Sequence, residues 1–405
     1  MDAKSHTIPA SFGHVACYAA MLVASLVLSD QAQAKFRVLY AFNGTQGGNP
    51  LGSLTADNAG TLYGTTAGGG TAGEGTVFKL SADGQQTVLY NFTGGADGGE
   101  PDSSVIQDAA GNLFGTTQFG GNDACPDGGC GTVFKITPDG KETVLYAFKG
   151  GSDGAVPSAG LIADNSGNFY CTTYNGGAFS NGGTVFMVQP NGVETILYSF
   201  GKGNDGAGPV AGLLLDASGN LYGTTLHGGA SSGGTVFRLA PDGTEKVIYS
   251  FTGGPDGGGP MAAPILDKQG NLYGTASGGG NTACGANGCG VVYKLTPKGT
   301  ESVLYAFSGG SDGANPYGAL SIDKTGNLYG TTRDGGLNQR ICHTQGCGTL
   351  FKLALDGTKT TLRMFKGRKD GGWPMSDLLN IKGHLFGVAY LGGDNGGGTL
   401  YEFAP

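Results

Sequence analysis

Short runs of apolar, β-branched and aromatic residues recur along the chain, each bounded by glycine, asparagine or aspartate. In one stretch these runs cover residues 212–216, 220–225, 234–239 and 247–251. Each run has the length and composition of a strand. Asp-x-x-Gly separates the first two runs, and Asp-Gly or Asn-Gly separates the last two, as in short hairpins. The pattern predicts groups of four antiparallel strands, which we call a, b, c and d.

The same group of runs returns seven times, as Gly-Asn-Leu-Tyr-Gly-Thr-Thr followed by Gly-Thr-Val-Phe-x-Leu, with a period of 51 to 57 residues. A fixed period in this range is typical of solenoids, propellers and arrays. Four antiparallel strands per repeat form a propeller blade. Residues 38–42 form a d-type strand with no a, b or c before it, and the last repeat ends at 398–403 without a d strand. We therefore predict an all-β, seven-bladed β-propeller over residues 35–405, closed by the N-terminal strand in the C-terminal blade, which removes an open sheet edge.

The repeated phrase, together with Val-Leu-Tyr-x-Phe and Asp-Gly-x-x-Pro, resembles the Gloeo/Verruco (GloVer) tandem repeat family of exported bacterial proteins. The likeness covers about residues 36–403. It implies a repeat architecture and export. It implies no reaction, so no catalytic residue is carried over from the family.

Composition and the N-terminus narrow the class of protein further. The chain has 405 residues, 82 of them glycine, and a net charge of −8, which speaks against nucleic acid or an anionic membrane as a partner. Residues 1–34 read as a signal peptide, with Lys4, an apolar stretch at 16–28 and a small-x-small cleavage site at 32–34. We expect a monomer that is exported to the periplasm or the extracellular space and has no membrane span.

Six of the eight cysteines form pairs with one spacing: Cys125 and Cys130, Cys284 and Cys289, Cys342 and Cys347. Cysteines five apart in a loop of an exported protein predict local disulfides. The alternative is zinc, but each pair belongs to a different repeat, and a tetrahedral site needs four ligands. Cys171 replaces the glycine of Tyr-Gly-Thr-Thr, so we predict a buried thiol there.

Antiparallel order places the short a–b and c–d turns at one end of the ring, and the longer, variable b–c and d–a loops at the other. Binding residues concentrate on variable loops of a rigid scaffold, so the b–c/d–a face is the predicted functional face. Its d–a loops carry Asp-Gly-x-x-Pro, and Gln46 takes the aspartate position in the first copy. A carboxylate ring that binds Ca²⁺ or a polyol is one interpretation. Turn capping by each aspartate is the favoured one. The aspartates are Asp97, Asp153, Asp205, Asp256, Asp312 and Asp370.

Residues that differ between blades are the better candidates for a binding site. Residues that pack the blades recur in every repeat, whereas those of a binding site differ from the repeat. The residues that differ lie after Thr-Thr and before the loop proline. A sugar site combines aromatic platforms with planar polar groups, and Trp373, the single tryptophan, is of a type enriched at binding hot spots. The candidate ligand-binding residues are Tyr174, His227, Arg333, Asp334, Trp373 and Tyr390. Neutral variation of exposed loops is the alternative.

No catalytic motif is present, so whether the protein is an enzyme stays open. The favoured function is binding or scaffolding, with a glycan or another extracellular ligand as partner. The alternative is a polysaccharide lyase or glycoside hydrolase on the same face, with His227, His343 and Arg333 as the catalytic candidates. Glu100 and Asp102 form a further carboxylate pair, and His384 is expected at the opposite end. A purely structural module is the third hypothesis. We expect no cofactor, with Ca²⁺ as the alternative.

Overall fold

The chain forms seven four-stranded antiparallel sheets, and every sheet follows the predicted a-b-c-d order. The structure is a computed structural model that describes residues 34–404, except 127, 180, 338 and 339 and the side chains at 340, 343 and 344. The predicted signal peptide falls almost wholly on residues 1–33, outside the described residues. The prediction of a seven-bladed β-propeller is confirmed.

The first six blades each consist of four consecutive strands. Blade 1 contains β2 (Thr55–Ala56), β3 (Leu62–Thr66), β4 (Thr76–Leu80) and β5 (Gln86–Asn91). Blade 2 contains β6 (Ile106–Gln107), β7 (Leu113–Thr117), β8 (Thr132–Ile136) and β9 (Glu142–Ala147). Blade 3 contains β10 (Ile162–Ala163), β11 (Phe169–Thr173), β12 (Thr184–Val188) and β13 (Glu194–Ser199). Blade 4 contains β14 (Leu214–Leu215), β15 (Leu221–Thr225), β16 (Thr235–Leu239) and β17 (Glu245–Ser250). Blade 5 contains β18 (Ile265–Leu266), β19 (Leu272–Ala276), β20 (Val291–Leu295) and β21 (Glu301–Ala306). Blade 6 contains β22 (Ser321–Ile322), β23 (Leu328–Thr332), β24 (Thr349–Leu353) and β25 (Lys359–Met364).

Blade 7 is completed by the beginning of the chain. It consists of β26 (Leu379–Ile381), β27 (His384–Ala389), β28 (Thr399–Ala404) and β1 (Lys35–Ala41). The strands β1 and β28 pair antiparallel, with Lys35 opposite Ala404 and Ala41 opposite Thr399. The predicted closure by the N-terminal strand is therefore confirmed. Within the described residues, short 3-10 helices lie in the loops at Gly151–Asp153, Thr282–Cys284, Gly310–Asp312 and Arg340–Gln345.

Each pair of neighbouring blades is joined by an aromatic contact in the core. The aromatic residue of the c strand meets the phenylalanine that follows the d strand of the preceding blade, as in Phe42 with Phe78, whose ring centroids are 5.1 Å apart. The ring closes with Phe365 and Tyr401, again 5.1 Å apart. The glycine of Tyr-Gly-Thr-Thr makes room for this ring, since a Cβ at Gly64 would lie 2.8 Å from Cζ of Phe78. In blade 3 the same place holds Cys171, which is buried and free, as predicted.

The a strands are only two or three residues long, shorter than the predicted runs. Carbonyl groups just before them bond to the preceding blade instead of extending the sheet. Thr65 Oγ1 donates to the carbonyl oxygen of Ser103 at 2.6 Å, and Thr116 Oγ1 donates to that of Ala159 at 3.0 Å. In the first five blades, the first threonine of Thr-Thr thus joins neighbouring blades around the central channel.

A second set of polar contacts joins the blades nearer the rim. At four of the seven junctions a loop aspartate accepts a hydrogen bond from a tyrosine on the preceding d strand and faces a glutamate at the start of the next d strand. Tyr90 Oη lies 3.0 Å from Asp97 Oδ2, and Asp97 lies close enough to Glu142 to act on its charge. The four junction glutamates are Glu142, Glu194, Glu245 and Glu301, and Oε1 of each is buried with no hydrogen-bond partner among the described residues.

The remaining junctions carry other residues at these positions. Lys359 takes the glutamate position and lies 2.7 Å from Asp312 Oδ1, with its side chain 3% exposed. Gln86 takes it between blades 7 and 1, and its Nε2 donates to the carbonyl oxygen of Gln46 at 3.2 Å. Between blades 6 and 7, Arg363 replaces the tyrosine and lies 2.5 Å from Asp370. Two of these junctions thus place a donor or a cation at the glutamate position, and the third places a cation at the tyrosine position.

Replacing Lys359 tests how much a junction depends on that donor. Lys359→Glu is expected to lower the free energy of unfolding by about 3–5 kcal/mol at pH 8, because it leaves Asp312 buried beside a like charge. The loss should shrink at pH 5, where the new carboxyl group can be protonated. Lys359→Gln copies Gln86 and should cost about 1–2 kcal/mol. Urea unfolding at both pH values measures these differences, and equal losses for both variants would contradict the argument.

The three predicted disulfides are present, between Cys125 and Cys130, Cys284 and Cys289, and Cys342 and Cys347. Each closes the second half of a b–c loop, just before the c strand. These cysteines are therefore not thiolate ligands of zinc. Burial raises the pKa of the remaining thiol, Cys171, to about 12, so this thiol stays protonated at physiological pH.

Candidate functional site

The loops of the b–c/d–a face meet in seven equivalent pairs around the mouth of the channel. The residue before each loop proline has a positive φ, and its carbonyl oxygen accepts from the N–H of the residue after Thr-Thr in the same blade, as between Trp373 and Tyr390 at 3.2 Å. Its own N–H donates to the preceding blade, as from Trp373 to Cys347 at 2.9 Å. The backbone thus places the blade-specific residues of neighbouring blades side by side.

The positive φ is unusual for the residues that carry it at three of these positions. Glycine and asparagine tolerate this conformation, and they occupy it in four blades: Asn49, Gly208, Gly259 and Asn315. Glu100, Val156 and Trp373 adopt it with φ of 51°, 59° and 57°. Strain of this kind costs about 1–3 kcal/mol and clusters at functional sites. A tryptophan held this way suggests that its side chain is needed there.

Trp373 lies in a cluster with Arg333, Tyr390 and Tyr317. The rings of Trp373 and Tyr390 stack with an interplanar angle of 19° and centroids 6.4 Å apart. The guanidinium carbon of Arg333 lies 4.7 Å from the centroid of Trp373 and 5.5 Å from that of Tyr317, within cation–π distance of both rings. Trp373 Nε1 donates to the carbonyl oxygen of Gly346 at 3.3 Å. Four polar and aromatic side chains from blades 6 and 7 therefore form one patch at the channel mouth.

Asp334 supports this patch from below. Its carboxylate is 4% exposed and lies 3.7 Å from Arg333 Nη1. Burial raises the pKa of Asp334 to about 6, against the opposing effect of the Arg333 charge. Its Oδ1 is buried without a hydrogen-bond partner among the described residues. Four predicted ligand-binding residues, Arg333, Asp334, Trp373 and Tyr390, thus lie together, and sequence reasoning missed Tyr317.

Tyr174 and His227 lie together in a different place, between blades 3 and 4. They meet across Gly208, where an added Cβ would lie 2.8 Å from Cε2 of Tyr174 and 3.6 Å from Cδ2 of His227. His227 is exposed. The six candidate residues therefore form two clusters of four and two residues.

The catalytic candidates divide between these clusters. His227 belongs to blade 4 and Arg333 to blade 6, and no hydrogen bond or ion pair joins them in the part of the chain described. The side chain of His343 lies outside the described residues. His384 begins β27 at the other end of the ring, where its Nδ1 lies 2.5 Å from Glu402 Oε1. A shared reaction centre for these residues stays a hypothesis.

The channel below the mouth contains carboxyl groups whose position there was not predicted from the sequence. A cavity of about 220 Å³ is lined by the residues after each loop proline, among them Asp102, Ser158, Tyr317 and Asp377. Burial raises the pKa of Asp102 to about 8, and Gln118 donates a hydrogen bond to Oδ2 of this carboxyl group. Burial also raises the pKa of Asp377. The only sequence signal for Asp377 is an acid where the other repeats have serine, glycine or alanine.

The aspartates of Asp-Gly-x-x-Pro bind within their own loops. Each accepts a hydrogen bond from the backbone N–H four residues earlier, as from Thr93 to Asp97 at 3.0 Å and from Ser308 to Asp312 at 2.8 Å. This is the geometry of turn capping. Within the described ranges, no group of three or more His, Cys, Asp or Glu side chains could hold a metal ion. The Ca²⁺ alternative for Asp97, Asp153, Asp205, Asp256, Asp312 and Asp370 has not been tested.

The closed ring and the loops at the channel mouth define the class of protein. It is a seven-bladed propeller of near-identical repeats, and the residues of its b–c/d–a face differ between blades. Models of the Gloeobacter/Verrucomicrobia repeat match residues 25–216, 182–340 and 281–405. The chain belongs to this repeat family, as its motifs suggested. Among curated proteins, none matches this sequence.

Solved structures resemble the chain in fold alone. The extracellular domain of the putative hybrid two component system BT4673 from B. thetaiotaomicron has a TM-score of 0.55 at 9% identity, over 90% of this chain and 39% of that one. A gluconolactonase from Xanthomonas campestris has a TM-score of 0.47 at 14% identity, over 92% and 89%. A putative 6-phosphogluconolactonase from Bacteroides uniformis reaches 0.46 at 17% identity, over 76% and 82%. Over residues 34–404, as far as they are described, no helix is long and apolar enough to cross a bilayer.

Proposed function

We propose that the protein is an exported binding propeller that recognises a glycan at the channel mouth of the b–c/d–a face. The observation that carries the proposal is the convergence of Arg333, Trp373, Tyr390 and Tyr317 in one patch. Export is supported by the three disulfides, which persist in oxidising compartments. We propose that the protein acts as a monomer.

The patch has the chemistry that a sugar needs. Aromatic side chains offer large apolar surface at low conformational cost, with polar groups at their edges. The guanidinium group of Arg333 has five N–H donors, and its one hydrogen bond to the described residues, to Tyr317 Oη, is 3.4 Å long. Its side chain stays 27% exposed, so donors remain within reach of a ligand. Asp334 lies 3.7 Å from Arg333 Nη1 and provides an opposite charge beside the guanidinium group.

Trp373→Gly is the sharpest test of the patch. Glycine occupies the same position in blades 4 and 5, so the variant removes the indole and relieves the positive φ. We expect at least tenfold weaker binding to any glycan that the wild type captures from an array, because aromatic hot spots contribute about 2 kcal/mol or more. Arg333→Ala should give a loss of similar size. Titration calorimetry on each hit measures both.

Glu100→Gly is the matched control, since it removes an exposed side chain at the same position in blade 2. It should leave glycan affinity unchanged. The proposal fails if the wild type captures no glycan. It also fails if Trp373→Gly binds the captured glycan as tightly as the wild type and the control do.

A polysaccharide lyase or glycoside hydrolase on the same face is the second candidate function. The supporting observation is Asp334, a buried carboxyl group with a pKa raised to about 6 beside Arg333. Groups of this kind are found where acids and bases act. Cleavage of a captured polysaccharide by the wild type, and its absence in Asp334→Asn, would favour this candidate over simple binding.

A further inference from the structure

A separate cleft lies between blades 4 and 5 on the a–b/c–d face, at the end of the ring opposite the channel mouth. Its volume is about 320 Å³, which is within the range of small-molecule sites. Blade 4 contributes the face of its outer strands, and blade 5 contributes the c–d turn at residues 296–299. The floor is apolar, with Ile248, Leu266 and Leu272. Nothing in the proposed function uses this cleft.

Three cations converge on the cleft. Arg238, Lys246 and Lys298 line it, and Asp216 is the one acid among its lining residues. Lys246 and Lys298 are exposed, and Arg238 is half-buried. Such a concentration of positive charge is unusual in a chain whose net charge is −8. Like charges held close together favour the binding of an anion between them.

The Arg238 guanidinium group is only partly satisfied. It interacts with the hydroxyl group of Tyr222, but its Nε is buried and has no hydrogen-bond partner among the described residues. The nearby carboxylates are engaged by their own turns: Asp216 accepts from the backbone N–H groups of Ser218 and Asn220, and Asp242 accepts from that of Thr244. A buried donor without a partner is costly, and an anionic ligand would remove that cost.

The equivalent cleft between blades 1 and 2 shows that the repeat alone does not produce this charge. It is lined by Lys79, the counterpart of Arg238, together with two acids, Asp57 and Asp108. On the neighbouring d strand, Lys246 lies directly opposite Arg238, whereas Thr87 lies opposite Lys79. Lys298 follows the turn proline of blade 5, whereas Asp139 follows that of blade 2. The cleft between blades 1 and 2 therefore lacks both of the extra cations.

We propose that the cleft between blades 4 and 5 binds an anionic group, a carboxylate or a sulfate, carried by a small polar ligand. The planar guanidinium of Arg238 suits two oxygens of such a group, and the two lysines supply charge at the rim. Because the cleft lies on the other face, it acts independently of the channel mouth.

The test is titration of the full-length exported protein with sodium sulfate and, separately, with galacturonate, followed by the NMR shifts of labelled arginine Nε–H groups. Binding should be saturable and should weaken as NaCl is added. Arg238→Gln is expected to weaken it at least tenfold, and the exposed variant Lys298→Gln about threefold. Lys79→Gln, the matched change in the other cleft, should have no effect.

Binding of galacturonate but not sulfate would identify a saccharide acid as the ligand class, and binding of both would identify a general anion site. No saturable binding of either probe at 20 °C and low salt overturns the proposal. So does binding that Lys79→Gln weakens as much as Arg238→Gln. Variants at Trp373 should leave this binding unchanged, so the two sites can fail separately.

Discussion

A chain that lacks residues 35–42 is expected to lose its cooperative fold. The deletion removes β1, which pairs with β28, and leaves the outer edge of blade 7 open. It also removes Phe42, which is fully buried, and Phe36, whose ring stacks on Tyr401 with centroids 5.4 Å apart. Burial of these side chains and of Leu39 and Tyr40 contributes about 6 kcal/mol or more. That loss is comparable to the whole stability of a typical protein.

A circular permutant is the control for this deletion. Phe36 lies opposite Phe403 in the register, so a copy of the turn at residues 81–85 can join Phe403 to Phe36 as it joins β4 to β5. The permuted chain, which begins after residue 42, should recover the wild-type circular dichroism and thermal midpoint. The deleted chain should aggregate or unfold without a cooperative transition. A deleted chain that melts like the wild type would contradict the ring closure.

Stability is expected to fall as the pH rises from 5 to 8, because four blade junctions each place a glutamate beside an aspartate. Burial, and then the charge of the facing aspartate, raises the pKa of Glu142, Glu194 and Glu245 to about 7. The same two causes raise the pKa of Glu301. Tyr90, Tyr146, Tyr198 and Tyr249 also face these pairs, and Lys149 opposes the shift at Glu194.

The number of protons bound by the folded and unfolded chains determines whether the free energy of unfolding rises or falls with pH. Between pH 4.5, the ordinary value for these glutamates, and pH 7, the folded protein holds more protons than the unfolded chain. The stabilisation is complete below this window and is lost as the pH rises through about 7. After allowance for solvent screening, each of the three sites with a pKa of about 7 contributes about 1 kcal/mol, and these distant sites together contribute about 3 kcal/mol. Glu301 acts in the same direction.

The quadruple variant Glu142→Gln, Glu194→Gln, Glu245→Gln and Glu301→Gln isolates this effect. Its free energy of unfolding should match the wild type at pH 5 and exceed it by about 3 kcal/mol or more at pH 8, or about 4 °C in thermal midpoint. Gln86 already occupies this position between blades 7 and 1, so glutamine fits. The control replaces the exposed carboxylates Asp123 and Asp394 by asparagine. Parallel stability curves for the wild type and the quadruple variant would refute the argument.

Much of the fold was predictable, because its signals are local and repeated seven times. Alternating strands, Asp-Gly turns and cysteines five apart act over a few residues, and the unpaired d strand at 38–42 could close only the blade that lacked one. The candidate site was predictable in part. Arg333, Trp373 and Tyr390 broke the repeat and lie together, whereas Tyr317 and Asp377 occupy positions whose contact with the channel was not visible in the sequence.

The sequence by itself determined the number of blades, their strand order, the closure and the disulfides, since each follows from short-range patterns or from counting. Only the tertiary structure decided which residues of different blades meet. Glu142 and Asp97, or Arg238 and Lys298, are separated by dozens of residues and come together through the packing of one sheet on the next. Burial between blades raises the pKa of the junction glutamates and leaves Nε of Arg238 without a hydrogen-bond partner among the described residues, and burial is a property of the assembled ring.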